Sequence, residues 1–456
     1  MRETVRDSSL EDGAPGAITW RAPVEPGLRE TRTPFLRRRI TLTEAVAALA
    51  VVLVAMRTEI TLNVTLGTVA ALALAPVWLR TLGRFRGAVP LLAVSLLCLP
   101  IGVWLTALSA DERATSDRLL AGSCVLLVNF VLGIGVLLWA RTVMPSAVVA
   151  VWFGLGLLVA APMSGRLGDN PWRFGFSVPL TVLLLALAWW HGSRALEVVL
   201  ALALAGATAA SGGRSLFAIL VLAAVLAAWQ VPPRLIDVGV SRLRTLLFLA
   251  LTLAALYTLG QSLTLEGYLG QRAQERTALQ TAASGSVILG GRPEVGASTA
   301  LLGHEPLGFG AGARLNATDL LVAKSGMADL GYDPDNGYVE RYMFGDGIEL
   351  HSFWADLWSD WGLVGVLLGG MIAWHLGAYL SGRLAHRRAS ALMVYLVVQS
   401  GWNLLFSPRY GSYTLLVLAV ALVLTPVVRQ RDEAPDVPAA PRRAPTGAPP
   451  PGAAPA

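Results

Sequence analysis

Three side chains in this sequence have the types needed to move a group from a phosphate to a hydroxyl. They are Arg214, in "ASGGRSLFAIL", Arg292, in "GSVILGGRPEVG", and His351, in "GIELHSFWADLWSDWGLVGVLLGG". A guanidinium keeps its charge and binds phosphate oxygens bidentately. Two of them can offset the charge that builds on a departing diphosphate without a metal. A neutral imidazole near pH 7 can take the proton of an attacking hydroxyl, which arginine cannot. Each arginine follows two glycines, and glycine lets backbone approach a ligand closely.

Each residue has a plainer account when taken alone. Arg214 reads as an interfacial arginine whose stem snorkels to the headgroups. Arg292 reads as a solvated loop residue, with Pro293 and Glu294 suited to the first turn of a short helix. His351 reads as a structural histidine at the head of a helical stretch. In that stretch Trp354, Trp358 and Trp361 share one face by the i, i+4, i+7 rule and predict an interfacial belt. Asp356 and Asp360 share another face, one turn apart. His351 lies about half a helical rotation from Asp360, which argues against pairing within one helix. The chemistry therefore depends on elements that draw distant segments together.

Those elements are membrane helices. The chain has 456 residues, 54% hydrophobic and 14% charged; soluble domains carry about 25% charged residues. Nearly uncharged stretches recur from Leu42 to Val428, and about 18 apolar residues suffice to cross the hydrocarbon core. An all-α polytopic architecture follows, because backbone groups in lipid must be satisfied within each segment. Hydropathy predicts about 12 transmembrane helices, at 42–56, 60–79, 88–108, 119–140, 146–162, 175–191, 195–210, 215–231, 245–260, 357–380, 389–406 and 412–428. The flanking segments, 1–40 and the Pro/Ala-rich 429–456, predict disorder. Helices 1–9 fall within 41–260, a polar loop occupies 261–350, and helices 10–12 fall within 351–428.

Basic residues mark one side. "RETRTPFLRRR", "RTLGRFR", "PPRLIDVGVSRLR", "SGRLAHRR" and "VVRQRDE" all fall there. The other side receives "SADERATSDR", "GRLGDNPWRFG" and the long loop. The positive-inside rule places both termini in the cytoplasm of a cell membrane and the loop outside. The net charge of +6 is explained by this distribution, with no nucleic-acid partner. Cys98 and Cys124 each sit in an apolar run and read as small buried hydrophobes. "GYDPDNGY" (331–338) resembles a calcium loop but fails the EF-hand pattern, with Gly337 where Asp or Asn belongs. No metal and no cofactor is expected.

Three segments carry a resemblance. "SGGRSLFAIL" resembles the Ser-Arg segment that opens a span in the O-antigen ligase/polymerase superfamily, with Arg214 as its arginine. "GGRPEVGASTALLGHEPLGFGAG" is similar to that family's arginine, apolar helix and Pro-Leu-Gly-x-Gly-x-Gly turn, matched by Arg292, Pro306, Leu307, Gly308, Gly310 and Gly312. "HSFWADLWSDWGLVG" resembles its His-Asn…Glu-x-Gly-x-x-Gly entry to the next span, through His351, Gly362 and Gly365. Ser352 stands where the family often has Asn, and Asp360 where it often has Glu. The resemblance covers roughly Ser211 to Gly370. It implies a GT-C-like fold and a metal-independent, inverting glycosyltransferase. It also implies a polyprenyl-diphosphate-linked glycan donor, a glycan or lipid-glycan acceptor, and a ligase-like or polymerase-like role in cell-surface polysaccharide assembly. Arg214 and Arg292 would grip the diphosphate and His351 would activate the acceptor, with Ser352, Asp360, Gly308 and Gly310 in support. The alternative is a secondary transporter of about twelve spans, which would favour an internal repeat and buried charges at the midplane.

Overall fold

The computed structural model describes residues 40–163, 165–231 and 290–427, with scattered helical residues between 247 and 278. The N-terminal segment before residue 40, most of the ninth expected span, the first part of the long loop and the tail at 429–456 lie outside the described residues.

The chain is a helical, multi-pass membrane protein. Among the described residues, five helices are long and apolar enough to cross a bilayer: Ala88–Ser109, Asp117–Val143, Ser146–Met163, Trp172–His191 and Phe353–Ala385. We label the α-helices in chain order: α1 Leu42–Met56, α2 Leu66–Ala73, α3 Ala75–Trp78, α4 Ala88–Ser109, α5 Asp117–Val143, α6 Ser146–Ala160 and α7 Ser177–His191. Then follow α8 Arg194–Ala210, α9 Arg214–Ala228, α10 Glu294–His304, α11 Ala317–Ala328, α12 Phe353–Ala385, α13 Ala391–Phe406 and α14 Arg409–Val423. Several starts are fixed by polar caps, as expected where the first N–H groups lack helical partners. Thr41 and Glu44 form a reciprocal capping box on α1, and Ser116, Ser193 and Ser390 cap α5, α8 and α13.

The expected second span needs correction. Residues 59–65 form a small antiparallel hairpin, β1 Glu59–Thr61 and β2 Val64–Thr65, with Leu62 and Asn63 in the left-handed turn conformation. From there α2 and the stretch Ala75–Arg84 meet at a 58° bend. Pro76 sits in the first turn of α3, where its missing N–H and its ring break the preceding ladder.

Side-chain clamps sort the helix ends into two sets. At one end Arg57 Nη1 donates to Tyr410 O (2.7 Å), Asn63 Nδ2 to Gly122 O (3.1 Å) and Ser109 Oγ to Phe309 O (2.6 Å). At the opposite end Arg141 Nη1 donates to Ala421 O and Leu424 O (2.5 and 2.7 Å), and Arg194 Nη1 to Ala389 O (2.6 Å). There Glu197 also accepts from Ala391 N–H and Gln230 from Ala389 N–H (2.6 and 2.9 Å). Between the ends the interior is closed by large apolar side chains, among them Phe153, Leu137, Leu220 and Tyr395. Leu96, Trp104, Val199, Leu367 and Trp374 point outward and exposed. Helices apolar on both inner and outer faces are those solvated by lipid.

Residues 290–350, called the outer segment after the side that the charge distribution predicts for it, build a core of their own. α10 and α11 touch backbone to backbone: a Cβ on Gly296 would lie 2.0 Å from Gly326 O. Leu301, Phe309, Met327, Val339, Met343 and Leu350 pack with Trp358 of α12. α12 itself breaks at Gly362 (φ 56°, ψ −141°). A break of this kind leaves preceding carbonyls without their i+4 donors. The Ser359 carbonyl accepts instead from Phe309 N–H and Gly310 N–H of the outer segment (2.8 and 2.9 Å).

That break also corrects the expected tryptophan belt. Trp358 and Trp361 are buried, at 3% and 0% exposure, and Trp354 is half-buried. Trp358 Nε1 donates to Pro306 O (3.0 Å), and Trp354 Nε1 to Val366 O (3.1 Å). The tryptophans pin a broken helix to its surroundings instead of ringing an interface.

Candidate functional site

His351 ends the non-helical approach to α12. Its backbone is left-handed, with φ 52°, an uncommon conformation for a residue with a Cβ. Three neighbours hold it there. Asp356 Oδ1 accepts from Leu350 N–H (2.8 Å), while its Oδ2 accepts from Arg409 N–H (2.8 Å). Ser352 caps α12 through Ala355 N–H (3.3 Å) and donates to Leu404 O (2.9 Å). The imidazole Nδ1 lies 3.3 Å from Glu349 O.

The ring of His351 faces Tyr338, centroid to centroid 5.9 Å. Tyr338 donates its hydroxyl to Glu294 Oε1 (2.6 Å). Burial pushes the Tyr338 phenol well up, the Glu294 hydrogen bond and charge add to that, and the Arg292 charge pulls back. It therefore stays a hydroxyl at any physiological pH. Arg292 is half-buried, with its guanidinium 5.7 Å over the Trp402 ring. It forms no ion pair among the described residues. Glu294 Oε2 is buried with no hydrogen-bond partner among them. Arg292, Glu294, Tyr338, His351 and Trp402 thus share one neighbourhood.

Arg214 opens α9, and its Nη1 donates to Thr277 Oγ1 (3.3 Å). α9 runs antiparallel to α13, because Gln230 beyond one C-terminal end meets Ala389 before the other N-terminal end. Arg214 therefore lies at the end of the bundle where α13 delivers Trp402. Two of the three expected residues meet through Tyr338, and the third shares their level by helix packing instead of by a described contact.

The supporting residues separate by role. Ser352 belongs to the His351 corner. Gly308 and Gly310 belong to the docking turn: both have positive φ (89° and 95°), and a Cβ on Gly310 would lie 2.3 Å from Thr106 N. Asp360 points elsewhere and pairs with Arg409, whose Nη2 also donates to Ser123 Oγ (3.2 Å). The shared face of Asp356 and Asp360 is explained by this one arginine, which both address. In the 331–338 loop, Lys324 pairs with Asp335 (2.8 Å) and with Glu340, so a lysine occupies the acidic cluster.

Sequence reasoning passed over Arg113, Tyr338 and Arg409. Arg113 Nε and Nη2 engage both oxygens of Asp319 (2.8 and 3.0 Å), and Nη2 reaches Glu305 Oε2 (3.3 Å). His304 Nε2 lies 3.3 Å from Asp319 Oδ1. The Asp319 hydrogen bond raises the Arg113 pKa against the effect of burial. Burial pushes the Asp319 carboxyl up, but Arg113, the Asn316 backbone and the His304 charge outweigh it and hold it down. The signal that singled out Arg214, a cation on the acid-rich side, applies equally to Arg113 and Arg409.

Set against protein-family models, curated proteins and solved structures, the chain matches none.

Proposed function

We propose that this chain is a membrane glycosyltransferase that moves a glycan from a polyprenyl-diphosphate carrier to an acceptor hydroxyl at the outer face of a cell membrane. The observation that carries the reading is the meeting of Arg292 and His351, 59 positions apart in sequence, around Tyr338 and Trp402. In this reading Arg214 and Arg292 hold the diphosphate. The acceptor oxygen attacks the anomeric carbon from the face opposite the diphosphate, which inverts that centre. The bond from the anomeric carbon to the phosphate oxygen breaks, and the carrier leaves as its diphosphate. The acceptor proton passes to the neutral His351 imidazole. The guanidiniums offset the charge on the leaving group, so the reaction proceeds without a divalent ion.

Topology supports the same reading. Arg84, Arg86, Arg141, Arg194, Arg383, Arg387 and Arg388 lie toward the end opposite the outer segment. That distribution favours a cytoplasmic location for that end and for both termini. The bent pair and the four shorter apolar helices bring the five long ones to ten candidate crossings among the described residues; the proposed layout of about twelve spans, GT-C-like and with a ligase-like or polymerase-like activity, also needs α8 and the ninth span expected at 245–260.

The test is reconstitution in lipid with a defined polyprenyl-diphosphate oligosaccharide and hydroxyl acceptors, with products read by mass. Transfer that persists in EDTA and disappears in Arg214→Ala, Arg292→Ala and His351→Ala supports the reading. Near-normal turnover in any of the three variants overturns the assigned roles, and EDTA inhibition reversed by a divalent ion overturns the metal-free mechanism.

A further inference from the structure

A cavity of about 610 Å³ opens at the loop end, between the β1–β2 hairpin, the first turns of α5, the outer segment and the start of α14. Small-molecule sites commonly measure ~300–1,000 Å³. Its wall carries the carboxylates of Glu59, Asp346, Glu349 and Asp356 against the guanidiniums of Arg118, Arg314 and Arg409. Arg409 and Asp356 form its floor and are already engaged, as described above. Arg118, Arg314, Asp346 and Glu349 are exposed, and their side chains make no hydrogen bond or ion pair among the described residues. Tyr410 also lines the cavity. The Arg57 guanidinium stacks 3.9 Å from the centre of its ring and holds it in place.

We propose that this cavity binds carbohydrate, and that it seats the acceptor of the transfer; the acceptor role rests on the function proposed above. Neighbouring hydroxyls on a sugar both give and take hydrogen bonds. A guanidinium fork serves two oxygens at once and a carboxylate accepts from two hydroxyls. A wall that carries both, with Arg118, Arg314, Asp346 and Glu349 still unengaged among the described residues, matches that pattern. Four carboxylates against three guanidiniums disfavour a diphosphate, which leaves the anionic end of the donor to the Arg292 side. Position agrees with this division. Glu349 lines the cavity, whereas His351, two residues on, turns its ring to Tyr338. The backbone between them, fixed by Asp356 through Leu350 N–H, separates an acceptor chamber from the donor corner. The reacting hydroxyl reaches the imidazole past Glu349.

The experiment uses the full chain in lipid nanodiscs. Maltotriose is the probe, read by saturation-transfer NMR, with the same trisaccharide on a lipid anchor as a second probe. Arg118→Ala/Arg314→Ala and Asp346→Ala/Glu349→Ala are compared with wild type and with Lys324→Ala as a surface control; melting temperatures check folding. The expected result is binding to wild type and control that weakens at least tenfold in both double variants. Tighter binding of the anchored probe would make the ligand a glycolipid headgroup, and equal binding a free glycan. The same samples are assayed for transfer, where the double variants should raise the acceptor KM about tenfold and leave the donor KM unchanged. No binding to wild type, or equal binding to the double variants, overturns the carbohydrate site. Cavity-dependent binding without transfer to any acceptor keeps the site and removes the transfer reading. Transfer with an unaltered acceptor KM in both double variants overturns the acceptor role while the transfer reading stands.

Discussion

Arg113 reaches from the bundle to the outer segment and Arg292 from the outer segment to Trp402 of the bundle, and they differ in what surrounds the guanidinium. Arg113 is buried, forked onto Asp319, and close to Glu305 and Glu112. Arg292 is half-buried over a tryptophan, with no carboxylate partner among the described residues. A buried charge is tolerated when it is paired and hydrogen-bonded. A cation whose neighbours leave its charge unmatched keeps its binding capacity for something else. The first arginine is a clamp that ties the α4–α5 turn to the outer segment. In the proposed function the second is a socket.

The contrast breaks most sharply if the two residues are exchanged in the same assays. His351→Ala and Arg292→Ala should each lower transfer by roughly 10²–10⁴-fold, the usual scale for a positioned acid, base or charge, with little change in thermal stability. Arg292→Lys should stay impaired, because an ammonium cannot form the fork. Arg113→Ala should do the reverse. It strands Asp319 in a buried site and should cost about 3–5 kcal/mol, read as a lowered unfolding midpoint in detergent. Any loss of transfer should then follow the fraction unfolded.

Acid sharpens the comparison further. The Asp319 carboxyl is held below its ordinary value, so its stabilising contribution is complete above that value and is lost as pH falls through the lower, folded one. Hydrogen exchange in α11 should therefore be flat from pH 8 to 5 once corrected for intrinsic rates. Protection should fall only in stronger acid, and Asp319→Asn should abolish that step. The smallest expected effect is at Ser352. Ser352→Ala removes the α12 cap and the bond to Leu404 O, at about 0.5–2 kcal/mol, and should reduce turnover less than tenfold because Asp356 still holds the Leu350–His351 backbone.

How much could be read in advance follows from the range of the forces involved. The apolar helices were legible because lipid imposes a length and a composition on each crossing by itself. The spans at 42–56, 146–162 and 195–210 end within two residues of the helices found. The glycines of the docking turn were legible because only a residue without a Cβ fits such positive φ at backbone contact. The pairings were not. Arg113 and Asp319 are 206 positions apart, and Arg409 and Asp360 are 49; no local pattern encodes either. Gly362 was recognised as a motif residue, yet its effect on the tryptophan periodicity could not be, since helical spacing assumes an unbroken helix. Tyr338 lay inside a stretch read only for metal ligands.

The Ser359 carbonyl has a wider consequence. Because it serves amides of the outer segment, that segment is not a cassette laid over a finished scaffold. Excision or transplantation of residues 290–350 would strip a crossing helix of partners at its own discontinuity. Diversification of this segment's surface is therefore confined to its rims, such as the 331–338 turn, while the stretch around Phe309 changes only in step with the helix beneath it.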